Sequence, residues 1–509
     1  MKKDKENVFD NAHQNDGQVN NNPADGMDAL KADMNRNIEE MTERSGKREM
    51  EIDRIVLSVM AEQCQDLSKE ILQVKASKKA SRKDIIGIVA REIVRVADGN
   101  LAVFHYSQRM KAEQTVHLFT GTHWTQLDQQ VYYDFINDCA TKTGLTENEL
   151  YDPGFMGELY HWVGFQVAHS CPVTFGNDSA MINLRNGTLE VHRDAEVKLH
   201  PHRREDYIFY CLPYCYDPQA ACPLWEAFLD QMLPDKDTQQ VLGEYLGYCF
   251  TTDLHPEKML VLLGRGSNGK SVVLNVTEAL LGRENVSYES LDNLTNDDEK
   301  RLQIENKLAN ISFESGRELD AALLKKLVSG EPVSVRQLYV GTRTIRKYAK
   351  LLTAFNTLPA AEATHGFYRR FIIMPFRVTI SEAEADTELS EKLCAELPGI
   401  LNWVLQALKS LLERGTFSIS DECQHELENY KLLSDNVRMF AQERCQKDAS
   451  VFVSGKDLYS SYRGFCADDG LNALGKRKFF DRMESLGFEK EPYNGVIFFH
   501  LILDNNATF

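Results

Sequence analysis

Residues 258–281 read KMLVLLGRGSNGKSVVLNVTEALL. An apolar run is followed by a glycine-rich turn, and then by apolar residues at helical spacing. The turn, Gly264-Arg265-Gly266-Ser267-Asn268-Gly269-Lys270-Ser271, is a G-x4-G-K-[ST] pattern. These residue types suit phosphate for physical reasons. Glycines let the backbone wrap an anion, so that its N–H groups and the N-terminus of the following helix face it. Lys270 supplies a point charge to the β- and γ-phosphates, and the Ser271 hydroxyl completes a Mg²⁺ shell. The pattern predicts a nucleoside-triphosphatase; which one must come from the residues downstream.

Two further apolar runs follow, LANISFE at 308–314 and KLLTAFN at 350–356. Buried runs separated by helices predict an α/β domain with a parallel sheet. The first run ends in Glu314. A carboxylate at a strand end can orient Mg²⁺ or polarise the attacking water, or can simply be a solvated charge. The second ends in Asn356, whose amide needs a partner; a γ-phosphate or the attacking water would serve, as would capping of the turn before Leu-Pro. Gly366-Phe367-Tyr368-Arg369-Arg370-Phe371 then presents two guanidinium groups, suited to the charge on a transferring phosphoryl group. The plainer reading is an arginine pair beside an edge strand.

The whole chain has 509 residues, a prior of about three domains. Lys+Arg 58 against Asp+Glu 76 gives −18, which argues against a general nucleic-acid coat but not against a local grip. No stretch approaches the roughly 18 apolar residues of a membrane span. MKKDKENVFD runs into polar sequence with no apolar leader, and eleven scattered cysteines suit a reducing compartment. Residues 1–80 read as a disordered, then helical, extension, with Ile52, Ile55, Val56, Val59 and Met60 at helix-face spacing. Lys75, Lys78, Lys79, Arg82 and Lys83 form a basic run that is either a solvated linker or a phosphate contact. Residues 84–205 read as an α+β domain, with a hairpin turning at Asn186-Gly187. Residues 206–415 read as the phosphate-loop domain with a helical lead-in, and 441–509 as a small C-terminal domain. His200, His202, Cys211, Cys215 and Cys222 lack a standard zinc spacing and suggest packing.

The order GRGSNGKS, ISFES, LKKLVSGEPVSVR, QLYVGTRTIRKYAK, LLTAFN and FYRRF resembles the superfamily III helicases. Within them it is similar to the phage- and plasmid-type primase-helicases related to the poxvirus replicative helicase. INLRNGTLEV and CPLWEAFLDQML…LGYCF resemble their helicase-associated region, so the likeness covers roughly 84–509. It implies an AAA+ core in a homo-hexameric ring that hydrolyses ATP with Mg²⁺ between subunits and translocates on single-stranded or forked DNA. By position, Lys270 and Ser271 are the phosphate-loop pair, Ser271 and Glu314 serve the metal, and Asn356 is the sensor. Arg370 is the finger reaching the neighbouring subunit, with Arg369 the runner-up, and Lys325 lies in the segment before the hairpin. The chain departs from the pattern in having Phe313, not a second acid, before Glu314. It also shows no strand-rich primase domain, so priming is expected of a separate protein.

Residues 325–350 carry seven cations against Glu331, a local reversal of charge. QLYVGTRTIRKYAK reads as two strands turning at Gly341-Thr342, and Arg343, Arg346, Lys347 and Lys350 are the expected DNA contacts. A solvated basic edge is the alternative. The tail resembles a winged helix, with Lys476-Arg477-Lys478 opening its last helix. The expectation is therefore an ATP-dependent replicative DNA helicase of a phage, plasmid or integrated element, in the cytoplasm of a bacterial host. The alternatives are a remodelling or regulatory ATPase that does not unwind, and an origin-binding scaffold assembled by ATP.

Overall fold

The computed structural model describes residues 51–77, 81–104, 115–168, 179–193, 197–251, 255–266, 268–313, 319–337, 341–358, 365–381, 386–468, 471, 473–493 and 495–504. It is a mixed α/β protein.

The first core is built by helices Arg82–Ala97, Gln129–Lys142 and Pro153–Gln166 around a small antiparallel sheet of β1 (Leu101–Ala102), β2 (His117–Phe119) and β3 (Trp124–Gln126). Helical residues 51–61 and helix Ser68–Ala76 belong to this core through Leu57, Met60, Ala61 and Ile71. The segment 51–76 is thus no extension. The face it buries runs through Asp53, Leu57, Met60 and Ala61, while Ile52, Ile55 and Val59 of the expected face are exposed. Spacing alone could not choose between these interleaved stripes. Lys75 pairs with Glu149, and Arg82 with Asp152 and Glu158, so these members of the basic run serve ion pairs.

A second antiparallel sheet follows: β4 (Ser179–Leu184), β5 (Gly187–His192) and β6 (Val197–His200). Its turn is Arg185-Asn186, one residue earlier than read, because Leu184 pairs with Gly187. Gly187 sits at φ +143°, where a Cβ would meet the His200 carbonyl oxygen at 2.5 Å. Ile182, Leu189 and Val191 pack into the same core as Leu260, Val273 and Leu352. The cores therefore divide between Val167 and Ala180, not at 205.

Next along the chain are β7 (Met259–Leu263), β8 (Val286–Ser287), β9 (Ala309–Ser312), β10 (Val333–Gln337), β11 (Gly341–Ile345), β12 (Lys350–Phe355) and β13 (Phe371–Pro375). Five of them form one parallel sheet in the order β13-β7-β12-β9-β8. β7, β12 and β13 are buried along nearly their whole length, as expected for parallel strands covered on both faces. Helices Lys236–Tyr248, Lys270–Leu281 and Leu397–Arg414 cover one face, and helices Leu291–Asn296, Ala321–Val328 and Asp421–Leu433 cover the other. β10 and β11 pair as an antiparallel hairpin outside the sheet.

The C-terminal part has its own core: helices Asn436–Arg444, Gly455–Asp468 and Lys476–Ser485 pack on β14 (Cys445–Ser454), β15 (Lys490–Tyr493) and β16 (Val496–Leu503). These strands run antiparallel in the order β14-β16-β15, and the core starts at Val437. Among the described residues no helix is long and apolar enough to cross a membrane.

Candidate functional site

The five parallel strands share one carboxyl edge. Phe355 of β12 and Pro375 of β13 both pair in register with Leu263, the last residue of β7. The glycine-rich loop leaves from that point and ends where helix Lys270–Leu281 begins. Two glycines are required by geometry. Gly269 caps the helix in the left-handed region, φ +77°, with Phe228 and Met232 against its back. At Gly264 a Cβ would lie 2.6 Å from the Phe376 carbonyl oxygen. Helix Pro223–Met232, which carries Phe228 and Met232, therefore braces the loop from behind.

Lys270 is buried, and its ammonium donates to Asn268 Oδ1 at 3.0 Å, to Asn356 Oδ1 at 3.3 Å and to the Gly264 carbonyl. Asn268 also donates to the Phe376 carbonyl at 3.0 Å, tying the loop to the residue after β13. So the structure brings Lys270 and Asn356 together, although 86 residues separate them. Asn268 was only a motif position in the sequence, yet it holds both the loop and the lysine. Arg265 and Ser271 are exposed beside them. Ser267 and Glu314 lie outside the described residues. The strand before Glu314, β9, ends with Ser312 paired to Thr353, at the same edge as the loop. The Ser312 and Thr353 hydroxyls are buried without a hydrogen-bond partner among the described residues.

Arg369 and Arg370 lie at the opposite, amino edge. Phe371, the next residue, pairs with Met259, the first residue of β7. Five strand residues at about 3.3 Å each put roughly 13–16 Å between them and the loop. Neither can therefore serve the loop of its own chain. Arg370, expected as the finger, is buried: it donates to Ser329 Oγ at 2.8 and 3.0 Å and to the Gly366 carbonyl, and Glu257 stands at 3.6 Å. The exposed arginine is Arg369, with 52% of its side chain in solvent and a 2.7 Å ion pair to Glu257. No motif in the sequence marked Glu257, and Ser329 was only one position of LKKLVSGEPVSVR; the folded register reveals their place beside the arginines.

The basic hairpin exists, with a shifted turn. Gly341 and Thr342 are strand residues paired with Gln337 and Arg336, and the connection is 338–340, outside the described residues. Val333, Val335 and Ile345 anchor its base in the core, whereas Thr342, Arg343 and Thr344 are exposed. Arg343 pairs with Glu305 at 2.6 Å in a half-exposed position, where an ion pair is worth little and is readily exchanged. Arg346 is exposed and Lys347 half-buried. Lys350 is not a hairpin residue: it opens β12 and lies 4.4 Å from the centroid of the Tyr248 ring. Lys476, Arg477 and Lys478 are exposed at the start of their helix. His202 is hydrogen-bonded to Asn183, and among the described residues no group of three or more His, Cys, Asp or Glu is placed to hold a metal.

Three family models match the chain. "D5 N terminal like" covers residues 103–234, a family of unknown function (DUF5906) covers 262–370, and "Poxvirus D5 protein-like" covers 433–499. The two D5 segments flank the loop, and the middle one runs from β7 to Arg370. Two segments of the chain are thus similar to D5-type proteins, and the relatives it matches are viral proteins named as helicases. The chain is 24% identical over 351 residues to a helicase-named protein of Acanthamoeba polyphaga mimivirus, covering 62% of this chain and 34% of that one. It is 23% identical over 279 residues to a helicase-named protein of Frog virus 3, covering 49% and 28%. The chain thus spans about a third of the length of the curated relatives it matches. Among solved structures, the apo C-terminal region of NrS-1 aligns over 76% of this chain and 94% of that one, at 10% identity and a TM-score of 0.46.

Proposed function

We propose that the chain is an ATP-driven helicase motor of DNA replication. The observation that carries this reading is the meeting of Lys270 and Asn356 above the glycine loop, at the carboxyl edge of a parallel sheet. Ligands of open α/β sheets bind at that edge. The residues fit ATP with Mg²⁺. Among the described residues a buried ammonium is held there by three neutral oxygens, which phosphate oxygens can replace. The helix N-terminus and the glycine backbone face the same point. Bound Mg²⁺ would neutralise charge on the phosphates, with Ser271 and Glu314 as its holders. Lys270 stabilises the charge that grows on the γ-phosphate, and Asn356 orients the attacking water. Glu314 polarises that water.

An arginine at the far edge of the sheet can act only on another subunit's loop, which supports assembly into a ring, a homo-hexamer in this reading. The geometry moves the finger assignment from Arg370 to Arg369. Arg370 is committed to Ser329 and Gly366, whereas Arg369 holds one exposed ion pair that a phosphate can displace. The hairpin, with Arg343, Arg346 and Lys347, would grip the backbone of single-stranded DNA. The three helices and antiparallel sheet at the C-terminus fit a winged helix whose last helix presents Lys476, Arg477 and Lys478. The names of the viral relatives support the helicase output.

The test is ATP hydrolysis with and without single-stranded DNA, together with strand displacement on 3′- and 5′-tailed duplexes. Stimulated hydrolysis with displacement is expected. Hydrolysis without displacement would make the chain a remodelling ATPase, and no turnover at all would leave only a scaffold assembled by nucleotide.

A further inference from the structure

A cleft of about 140 Å³ opens at the amino edge of the parallel sheet, across from the phosphate loop. Lys258, Lys307, Arg346, Lys347 and Lys350 line it. Among the described residues of its lining there is no Asp or Glu. In a chain of net charge −18, five cations around one concave surface are a concentrated reversal. Cations lining one concave surface attract an anion. The contacts these cations make include neutral ones. Lys258 donates to the Arg369 carbonyl, Lys307 to the Glu284 carbonyl, and Lys350 faces the Tyr248 ring. Burial first, and then the nearby Arg369 and Lys431 charges, hold the Lys258 ammonium below the ordinary lysine range, with Glu257 opposing them.

The cleft also has an aromatic wall: Tyr207, Phe209, Tyr210, Tyr248 and Tyr348. Most of it comes from residues 207–210, beyond the β4–β6 sheet, while most of the cations come from the parallel sheet and the segment after the hairpin. The two halves meet only in the folded chain. A simple phosphate would need no aromatic wall, and an apolar ligand would need no cations. Cations beside π-faces are the chemistry that single-stranded nucleic acid sites use, charge for the backbone and rings for the bases.

We propose that this cleft binds one nucleotide unit, with its phosphate on the lysines and its base on the aromatic wall, at a site separate from the phosphate loop. The proposal rests on the DNA-motor reading for the source of that unit, a nucleotide of the single strand leaving the hairpin. A free nucleotide carries the same groups.

The experiment uses the full chain with Lys270→Ala, so that the phosphate loop does not contribute. Labelled dT15 and labelled thymidine 5′-monophosphate are titrated by fluorescence anisotropy. Lys258→Gln with Lys307→Gln should weaken dT15 binding about tenfold at moderate salt. It should flatten the slope of log K against log[salt] by about 1.4, at roughly 0.7 per lost single-strand phosphate contact. Phe209→Leu keeps the apolar volume but removes a π-face, and should weaken dT15 about fivefold or more with the slope unchanged. If the monophosphate binds one per chain and is lost in the lysine variant while dT15 is unaffected, the site takes free nucleotides. Unchanged binding of both probes, in variants with native circular dichroism, overturns the proposal. DNA-stimulated ATP hydrolysis by the chain with Lys270 intact is measured in parallel. Stimulation together with unchanged binding rejects the cleft alone. Absent stimulation rejects the motor, and the monophosphate titration then decides the cleft.

Discussion

The two edges of one parallel sheet carry cations of very different legibility. At the carboxyl edge Lys270 sits inside a loop whose glycines, asparagine and strand-end partner are all in contact with it or with one another. At the amino edge Arg369, Arg370 and Lys258 share Glu257 and a carbonyl or two, and the cleft gathers further cations beside them. The first edge brings its loop, lysine and asparagine together within one chain. In the proposed motor the second becomes useful only when something arrives from outside, either a neighbouring subunit's nucleotide or a strand of nucleic acid. A motor that couples hydrolysis to movement needs both kinds of edge, and the sheet separates them by one strand length.

The hardest test of this division is Lys270→Ala. The carboxyl edge should lose its function outright, with hydrolysis falling to background, because the charge that develops on the γ-phosphate loses its buried cation. Folding should survive, since the ammonium contributes no apolar packing; circular dichroism and a thermal melt check that. Near-normal turnover in the folded variant would end the ATPase reading.

The two arginines come next and should part company. Arg369→Ala should cost about 10³-fold or more in turnover if the guanidinium completes the next subunit's site. Its melting temperature should barely move, since a half-exposed ion pair is worth at most about 1 kcal/mol. Mixed with Lys270→Ala subunits it should regain some turnover, because some interfaces then pair an intact Arg369 with an intact Lys270. Arg370→Ala should do the reverse in the melt. Leaving Ser329 and the half-buried Gly366 carbonyl without their donor should destabilise by about 2–4 kcal/mol. If Arg370→Ala were stable and showed the larger loss that mixing restores, the finger would return to Arg370.

Asn356→Ala should be milder than either. Losing one oriented polar group costs about 10²-fold in turnover, and nucleotide affinity should change much less. A variant that loses binding instead would make Asn356 a structural anchor for Lys270.

What the sequence revealed follows the same line. The glycine loop is local: eight consecutive residues carry the motif, and the flanking apolar run and helical spacing carry its context. An amide at the end of an apolar run needs a partner, and Asn356 finds one in Lys270. The parallel sheet and the antiparallel hairpin were legible in outline. The turn positions were not, because Gly187 and Gly341 are required just inside their strands, and a glycine in a sequence does not say on which side of the turn it falls. The buried face of 51–61 was misread for a related reason, since two interleaved stripes satisfy one helical period. The roles of Arg369 and Arg370 depend on which of two adjacent residues turns inward as β13 begins, which spacing cannot decide. Lys258, Lys307 and the aromatic residues at 207–210 lie in three separate stretches, and only the fold assembles them.

The smallest expected effect concerns the hairpin, and it sharpens the comparison most. Arg343 stands on the hairpin itself, whereas Arg346 and Lys347 follow it and line the cleft. If the hairpin alone grips DNA, Arg343→Gln should flatten the salt dependence of single-strand binding by about 0.7, and adding Arg346→Gln and Lys347→Gln should change it no further. If hairpin and cleft form one continuous path, the triple variant should flatten the slope by about 2 in all. The loss should be equal for poly-dT and for mixed sequence, because backbone contacts carry no base information. Hydrolysis without DNA should persist in every case, since these residues lie at the edge of the sheet opposite Lys270. A slope that does not move at all would make the hairpin a solvated basic edge, and the path of the strand would then be sought at Lys476, Arg477 and Lys478.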